Sequence, residues 1–295
     1  MSRTSAAEYG PYVPPGGLGV MDAVRLGWDL FRKDFWPIWV VGLVAYIILF
    51  GVNMVGGIVG IVPIVGPLVN GCLTLAVGIF VQPALTAGLF YAIRRKIDGA
   101  PVQVNDLFEG FRQRYWQSVV AVLPPIVISI VGVLFIGVIV LGVLALGFHV
   151  FDGHMNDEQV VLAILVSVGA ASPVIVAIIL VSVLFLFSFL AVWDHPESGW
   201  EAVKDSVRVV KDHYWSVLGL VLLFGLIGLA AALAGIIACC VGLFFTVPVV
   251  MVWYHAALIY LYRSWTGRPL AQPAAGGGPY GEGPLAPTSI EPPAV

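Results

Sequence analysis

The strongest constraint on this chain is where its charges are missing. No Asp, Glu, Lys or Arg occurs between Asp34 and Arg94, between Arg114 and Asp152, between Glu158 and Asp194, or between Asp212 and Arg263. A helix that crosses the hydrocarbon core of a bilayer needs roughly 20 apolar residues. At that length the first and last runs hold two spans each, and the middle two hold one each. Six spans are therefore predicted, at about Pro37–Val59, Leu73–Ile93, Val119–Leu146, Val161–Val192, Val217–Ala238, and from the turn at Cys239–Gly242 to about Tyr262. Composition agrees: 60% of the 295 residues are apolar and 11% charged, against about 25% charged in soluble domains. Barrel strands alternate polar and apolar residues, and these runs do not. The predicted fold is an all-α polytopic membrane bundle, six transmembrane helices in three hairpin units.

The units are read from a segment that recurs before the outward-going spans. Ala202–Trp215, AVKDSVRVVKDHYW, pairs without gaps with Ala23–Trp36, AVRLGWDLFRKDFW. A looser copy is Asp106–Trp116, in which Arg112 and Tyr115-Trp116 fall where Arg32 and Phe35-Trp36 do. Each is charged, amphipathic at the helical period, and ends in an aromatic pair. In the first, Ala23, Val24, Gly27, Trp28, Phe31 and Phe35 share one face. In the second, Asn105 or Asp106 is the expected cap of a helix with Leu107, Phe108, Phe111 and Tyr115 on its apolar side. In the third, Ser198 with Glu201 has the form of a capping box, and Trp200, Val203, Val207, Val210 and Tyr214 form the apolar stripe.

Residues 1–19 read as a disordered tail and not as a secretory signal. Residues 20–265 form the membrane domain, in units of about 20–97, 98–193 and 194–265, and 266–295 read as a Pro/Gly-rich disordered tail. GIVPIVGPLVNG (Gly60–Gly71) is expected to be a turn, Pro83 to kink the second span, Pro124-Pro125 to interrupt the third, and Ser172-Pro173 to be a place where the long fourth span tilts or breaks.

The 14 Lys and Arg residues all fall at the termini or in the loops that follow spans 2, 4 and 6. The three opposite loops hold none, and one carries Asp152, Asp157 and Glu158. The positive-inside rule places both termini and the three amphipathic helices on the cytoplasmic side of the inner (cytoplasmic) membrane. There Trp28, Trp36, Trp116, Trp200 and Trp215 would act as interfacial belt residues. Arg32, Arg112, Lys204, Arg208 and Lys211 would face lipid headgroups or a partner.

Catalytic signals are absent. There is no G-x-S-x-G, no H-E-x-x-H and no carboxylate pair within a span, so no catalytic, cofactor or metal site is predicted. His149, Asp152, His154, Asp157 and Glu158 gather on one loop, and Asp194-His195-Pro196-Glu197 on another, but neither has metal-site spacing. Cys72, Cys239 and Cys240 read as small apolar residues. A candidate polar pathway consists of Asn53, Gln82 and His255, the last being the one titratable residue deep in a span.

The A-x(12)-W spacing at Ala23/Trp36 and Ala202/Trp215, with DHPESGWEA at Asp194–Ala202, resembles uncharacterised bacterial six-span membrane proteins. It is similar to the membrane domain associated with glycerophosphodiester phosphodiesterases. The catalytic domain of those enzymes is absent, so the resemblance implies no activity. The expectation is a non-enzymatic membrane protein without cofactors, acting through helix contacts, lipids, other membrane proteins or itself, and not through nucleic acid. The alternative is a permease or channel for a small or amphiphilic solute. A wide polar cavity joining Asn53, Gln82 and His255 would favour that alternative, and a solid bundle would oppose it.

Overall fold

The computed structural model describes residues 17–61, 65–150, 156–195, 198–237 and 242–268. Cys239, Cys240, Asp152, His154 and most of both expected tails lie outside these residues. Every regular element described is helical: α1 (Val20–Lys33), α2 (Phe35–Gly60), α3 (Val65–Ala76), α4 (Gln82–Ile97), α5 (Glu109–Arg112), α6 (Tyr115–Val150), α7 (Asp157–Ser182), α8 (Ser188–Ala191), α9 (Gly199–Asp212), α10 (Tyr214–Ile237) and α11 (Leu243–Trp265). Among the described residues six stretches are long and apolar enough to cross a bilayer: Phe35–Gly60, Leu68–Ile97, Tyr115–Leu146, Asp157–Ala191, Tyr214–Ile237 and Leu243–Trp265. They are spans 1 to 6 below, and the end that carries the Lys and Arg residues is the charged end.

The spans are not equivalent. In spans 2, 4 and 6, 28–39% of the most apolar stretch is buried, against 6–22% in spans 1, 3 and 5. The even spans are therefore the inner wall and the odd spans the outer one. Aromatic contacts tie the even spans together. Tyr91 stacks on Trp193 at 4.7 Å between ring centroids, Phe90 lies 4.7 Å from His255, and Phe187 lies 5.5 Å from Tyr262.

The three short segments rest on this inner wall. α1 buries Ala23, Val24, Gly27 and Phe31 and exposes Asp22, Arg25, Asp29, Arg32 and Lys33, which is the three-and-four spacing of a helix with one dry face. It lies on α11, where the Trp253 indole N–H donates to the Val24 carbonyl at 2.8 Å. α9 buries Ala202, Val203, Ser206 and Val210 against α6, α8 and the turn before α8. The middle segment lies on α4. So each segment packs on an even span: α1 on span 6, α5 on span 2, and α9 on the end of span 4. Each then passes through a short break into an odd span that opens with an aromatic pair. Phe35-Trp36, Tyr115-Trp116 and Tyr214-Trp215 have ring centroids 5.3, 5.2 and 5.6 Å apart, all near perpendicular.

Several local expectations need correction. The middle segment is not a full amphipathic helix but a 3-10 turn, Val104–Phe108, followed by the single α-turn α5. Its cap is Gln103, whose N–H donates to Asp106 Oδ2 at 2.9 Å, and Phe108 is exposed. Contact with α4 is so close that a Cβ on Gly88 would overlap the Leu107 carbonyl, and one on Gly110 the Ala84 carbonyl. That closeness leaves no room for a longer helix. Ser198 does precede α9, but its side chain makes no capping bond, and Trp200 is exposed. A capping box occurs instead at α7, where Asn156 and Gln159 exchange hydrogen bonds of 3.0 Å.

The prolines also act differently. α6 runs unbroken through Pro124 and Pro125, and α7 through Pro173. Span 4 breaks later, at a 3-10 turn at Val183–Phe185. Pro83 sits just after a π-helical turn, Val77–Val81, which bridges α3 and α4. The proline has no N–H to return to the preceding turn, and widening the helix by one residue accommodates that loss. Gly60 and Val65 already belong to helices, so the predicted long turn is much shorter.

Candidate functional site

The inner spans, with parts of spans 1 and 3, line a partly open cavity of about 470 Å³. Its lining repeats at helical spacing on each element. α4 contributes Gln82, Thr86, Leu89 and Phe90, α11 contributes Met251, Tyr254, His255 and Leu258, and span 4 contributes Ser182, Phe185, Leu186 and Phe189. Ala45 and Leu49 of α2, with Val122, Pro125 and Ile126 of α6, complete the lining. The lining is mostly apolar, with five polar side chains: Gln82, Thr86, Ser182, Tyr254 and His255. No Asp, Glu, Lys or Arg is among its lining residues. A few hydrogen-bonding groups in an apolar hollow of roughly 300–1,000 Å³ is the ordinary make-up of a small-molecule site.

One helical turn towards the charged end, the cavity gives way to a ring of ion pairs. Phe90 is followed a turn later by Arg94, Leu190 by Asp194, and Leu258 by Tyr262 and Arg263. Arg94 pairs with Asp194 at 3.1 Å and joins spans 2 and 4. Arg263 holds Asp98 through two bonds of 2.6 and 2.9 Å and joins spans 6 and 2. Arg268 also pairs with Asp194, joining spans 4 and 6, while its guanidinium lies 5.4 Å from the centre of the Tyr262 ring. Three pairs thus link the three inner spans two by two. Further out, Arg95 pairs with Asp106 and Lys96 with Asp34. Burial, and after it the nearby Arg94 charge, pulls the Arg268 guanidinium below its ordinary value. An arginine begins so high that it stays charged.

The predicted pathway residues converge in part. Gln82 and His255 share the central cavity. Asn53 instead donates to the Leu49 carbonyl of its own helix at 2.7 Å and lines a void of about 50 Å³ with Asn70, Thr74 and Gln82. Gln82 therefore borders both spaces. The bundle is neither a wide polar channel nor a solid block.

The predicted surface residues stay apart from the cavity. Trp36, Trp116 and Trp215, the second residues of α2, α6 and α10, are 67%, 68% and 80% exposed. Arg32, Arg112, Lys204, Arg208, Lys211 and Trp200 are exposed as well, and Trp28 is half-covered by Trp253 at 4.8 Å. A surface groove of about 860 Å³ lies between α1 and the charged ends of α4 and α11, where Asp29 and Asp34 face Arg32, Lys33 and Lys96. Mixed charge on exposed side chains gives it little selectivity for one sign. Among the described residues no His, Cys, Asp and Glu group is arranged to hold a metal ion.

Sequence reasoning missed Tyr254 and Ser182, and it placed Arg94, Arg95, Lys96 and Arg263 only as charges following spans 2 and 6, without partners. A signal was available: Arg94, Asp194 and Arg263 each stand at the first charged position after an even span.

A family model described as a domain of unknown function (DUF7847) matches residues 18–264, and the chain belongs to that family. No curated protein and no solved structure matches it, so the likeness to the phosphodiesterase-associated membrane domain gains no support from these comparisons.

Proposed function

We propose that this DUF7847 protein is a non-enzymatic, multi-pass protein of the cytoplasmic membrane that takes an amphiphilic molecule from the bilayer into its central cavity. The observation that carries this reading is the 470 Å³ hollow between five spans, apolar except for five uncharged polar side chains. Hydrocarbon chains fit such walls, whereas an ion or sugar would find too few partners there. The charge map supports both termini lying in the cytoplasm. The matching order of segment, break, aromatic pair and span supports three related units, the exposed tryptophans serving as interfacial anchors.

A second reading, permeation of the same kind of molecule, is favoured by the ring of ion pairs below the cavity. Side-chain pairs can part without unwinding a helix. The test is native mass spectrometry of the protein released from detergent, with its lipids identified. Co-purifying amphiphile that is lost when Thr86→Trp fills the cavity supports binding. An empty wild-type protein, or carriage that Thr86→Trp leaves unchanged, sinks it. Flux of a spin-labelled lipid across reconstituted vesicles separates permeation from simple binding.

A further inference from the structure

We infer that the molecule held in the cavity carries an uncharged polar head able to give and accept hydrogen bonds, as a long-chain alcohol or a diacylglycerol does, and that Gln82, Tyr254 and His255 recognise it. This rests on the reading that the cavity holds an amphiphile, and it adds the class of head.

The imidazole fixes the first part of the argument. His255 Nδ1 lies 2.6 Å from the Met251 carbonyl. A carbonyl oxygen only accepts, so Nδ1 carries the proton and donates, which leaves Nε2 of the neutral ring as an acceptor. Phe90 at 4.7 Å and Tyr254 at 5.6 Å hold the ring from two sides. Its orientation is therefore set before any ligand arrives.

The second part is what the neighbours lack. Among the described residues, the Tyr254 hydroxyl and the Gln82 amide make no hydrogen bond to the protein, yet both line the same cavity as His255. Gln82 is exposed and Tyr254 half-buried; a polar group left unpaired in an apolar setting is unfavourable by ~1–3 kcal/mol on protein data, a cost that falls on Tyr254 more than on Gln82. The half-buried Tyr254 hydroxyl and His255 Nε2 on α11 and the exposed Gln82 amide on α4 line the same cavity, and one head that donates to Nε2 and exchanges bonds with Tyr254 and Gln82 meets all three. A carboxylate, phosphate or ammonium finds no counter-charge in the lining, and a charge buried without one is strongly disfavoured. The walls thus select for hydrogen bonding and against charge.

The test uses the full chain reconstituted in phosphatidylcholine vesicles. Four diazirine probes share one alkyl chain and end in a hydroxyl, a carboxylate, a trimethylammonium or a methyl group. After irradiation, labelled positions are mapped by mass spectrometry. The alcohol should label the peptides containing Gln82–Phe90, Ser182–Phe189 and Met251–Leu258 at least about tenfold more than either charged probe. Tyr254→Phe and Gln82→Leu should each reduce alcohol labelling about threefold to tenfold, the span of one lost hydrogen bond, and leave labelling by the methyl-ended probe unchanged. That last probe shows that each variant keeps its fold and its cavity. Equal labelling by all four heads, or preference for a charged one, overturns the inference while leaving an amphiphile site in place. Absence of labelling in these peptides by every probe overturns the cavity reading itself.

Discussion

At the scale of single residues, the charges at the inner ends of the spans carry much of the order. Arg263 is only 4% exposed, and its fork is matched by both oxygens of Asp98. Removing one partner of a buried pair leaves the other uncompensated, which costs about 3–5 kcal/mol. Arg263→Gln should lower the apparent unfolding temperature in detergent markedly, and adding Asp98→Asn should recover part of the loss. If the double variant is as unstable as the two single losses added together, the pair is not coupled. Glycine makes the opposite demand. Gly88→Ala would drive a methyl into the Leu107 carbonyl, a backbone atom that has nowhere to go, whereas nothing lies within 4 Å of a Cβ on Gly137. Gly88→Ala should therefore destabilise by about 1–3 kcal/mol, and Gly137→Ala should be neutral or slightly stabilising. Equal thermal curves for the two would show that the 3-10 turn at Val104–Phe108 does not press on α4. The charged positions were legible in the sequence, but their pairing was not. Asp98 and Arg263 are far apart along the chain, and only the meeting of spans 2 and 6 joins them.

At the scale of elements, the contrast is between two serines that are both fully buried. Ser206 of α9 accepts from the Phe187 N–H at 3.1 Å and donates to the Leu184 carbonyl at 2.9 Å. It supplies bonds that the helix loses where span 4 breaks. Ser188, the first residue of α8 and three residues beyond that break, has a hydroxyl with no partner among the described residues. Ser206→Ala should cost about 1–3 kcal/mol, because a buried N–H is left unmet, while Ser188→Ala should be neutral or stabilising. Hydrogen exchange should rise at Val183–Ser188 in the first variant alone, and a rise in both would refute the bridging role. In the register that pairs Ala23 with Ala202, Ser206 falls on Gly27, which faces the backbone of α11. Both positions need a small residue where a short helix meets an even span. The two strong copies were legible because their apolar faces follow the helical period. The middle copy was overread, since its close fit on α4 decides its length and the local pattern does not. The prolines misled for a similar reason. Their unmet carbonyls are tolerated inside a bundle, so Pro124 and Pro125 did not break α6, and span 4 breaks where α9 can stitch it.

At the scale of the whole molecule, the number of spans was visible because a run of apolar residues without charge measures bilayer thickness directly. The cavity was not, because it depends on which faces of five helices meet. Gln82 and His255 are far apart in sequence, and nothing in their local spacing brings them together. Sidedness lies between these cases. It follows from a charge bias, and the structure gathers the charged residues at one end of the bundle. The prediction is that, in a variant with Cys72, Cys239 and Cys240 replaced by Ser, single cysteines at Arg25, Gln103 or Glu201 react with a membrane-impermeant maleimide only after spheroplasts are opened. A cysteine at Gln159, in the first turn of α7 at the opposite end, should react in intact spheroplasts. Changing Lys204, Arg208 and Lys211 together to Gln should leave this pattern intact, because the other 11 of the 14 Lys and Arg still mark the same side. The segment they sit on is also held by buried contacts at Ala202, Val203, Ser206 and Val210. Reaction of the Glu201 cysteine from outside in the triple variant would mean that α9 itself sets the orientation of span 5, and that the contacts made after insertion come too late to correct it.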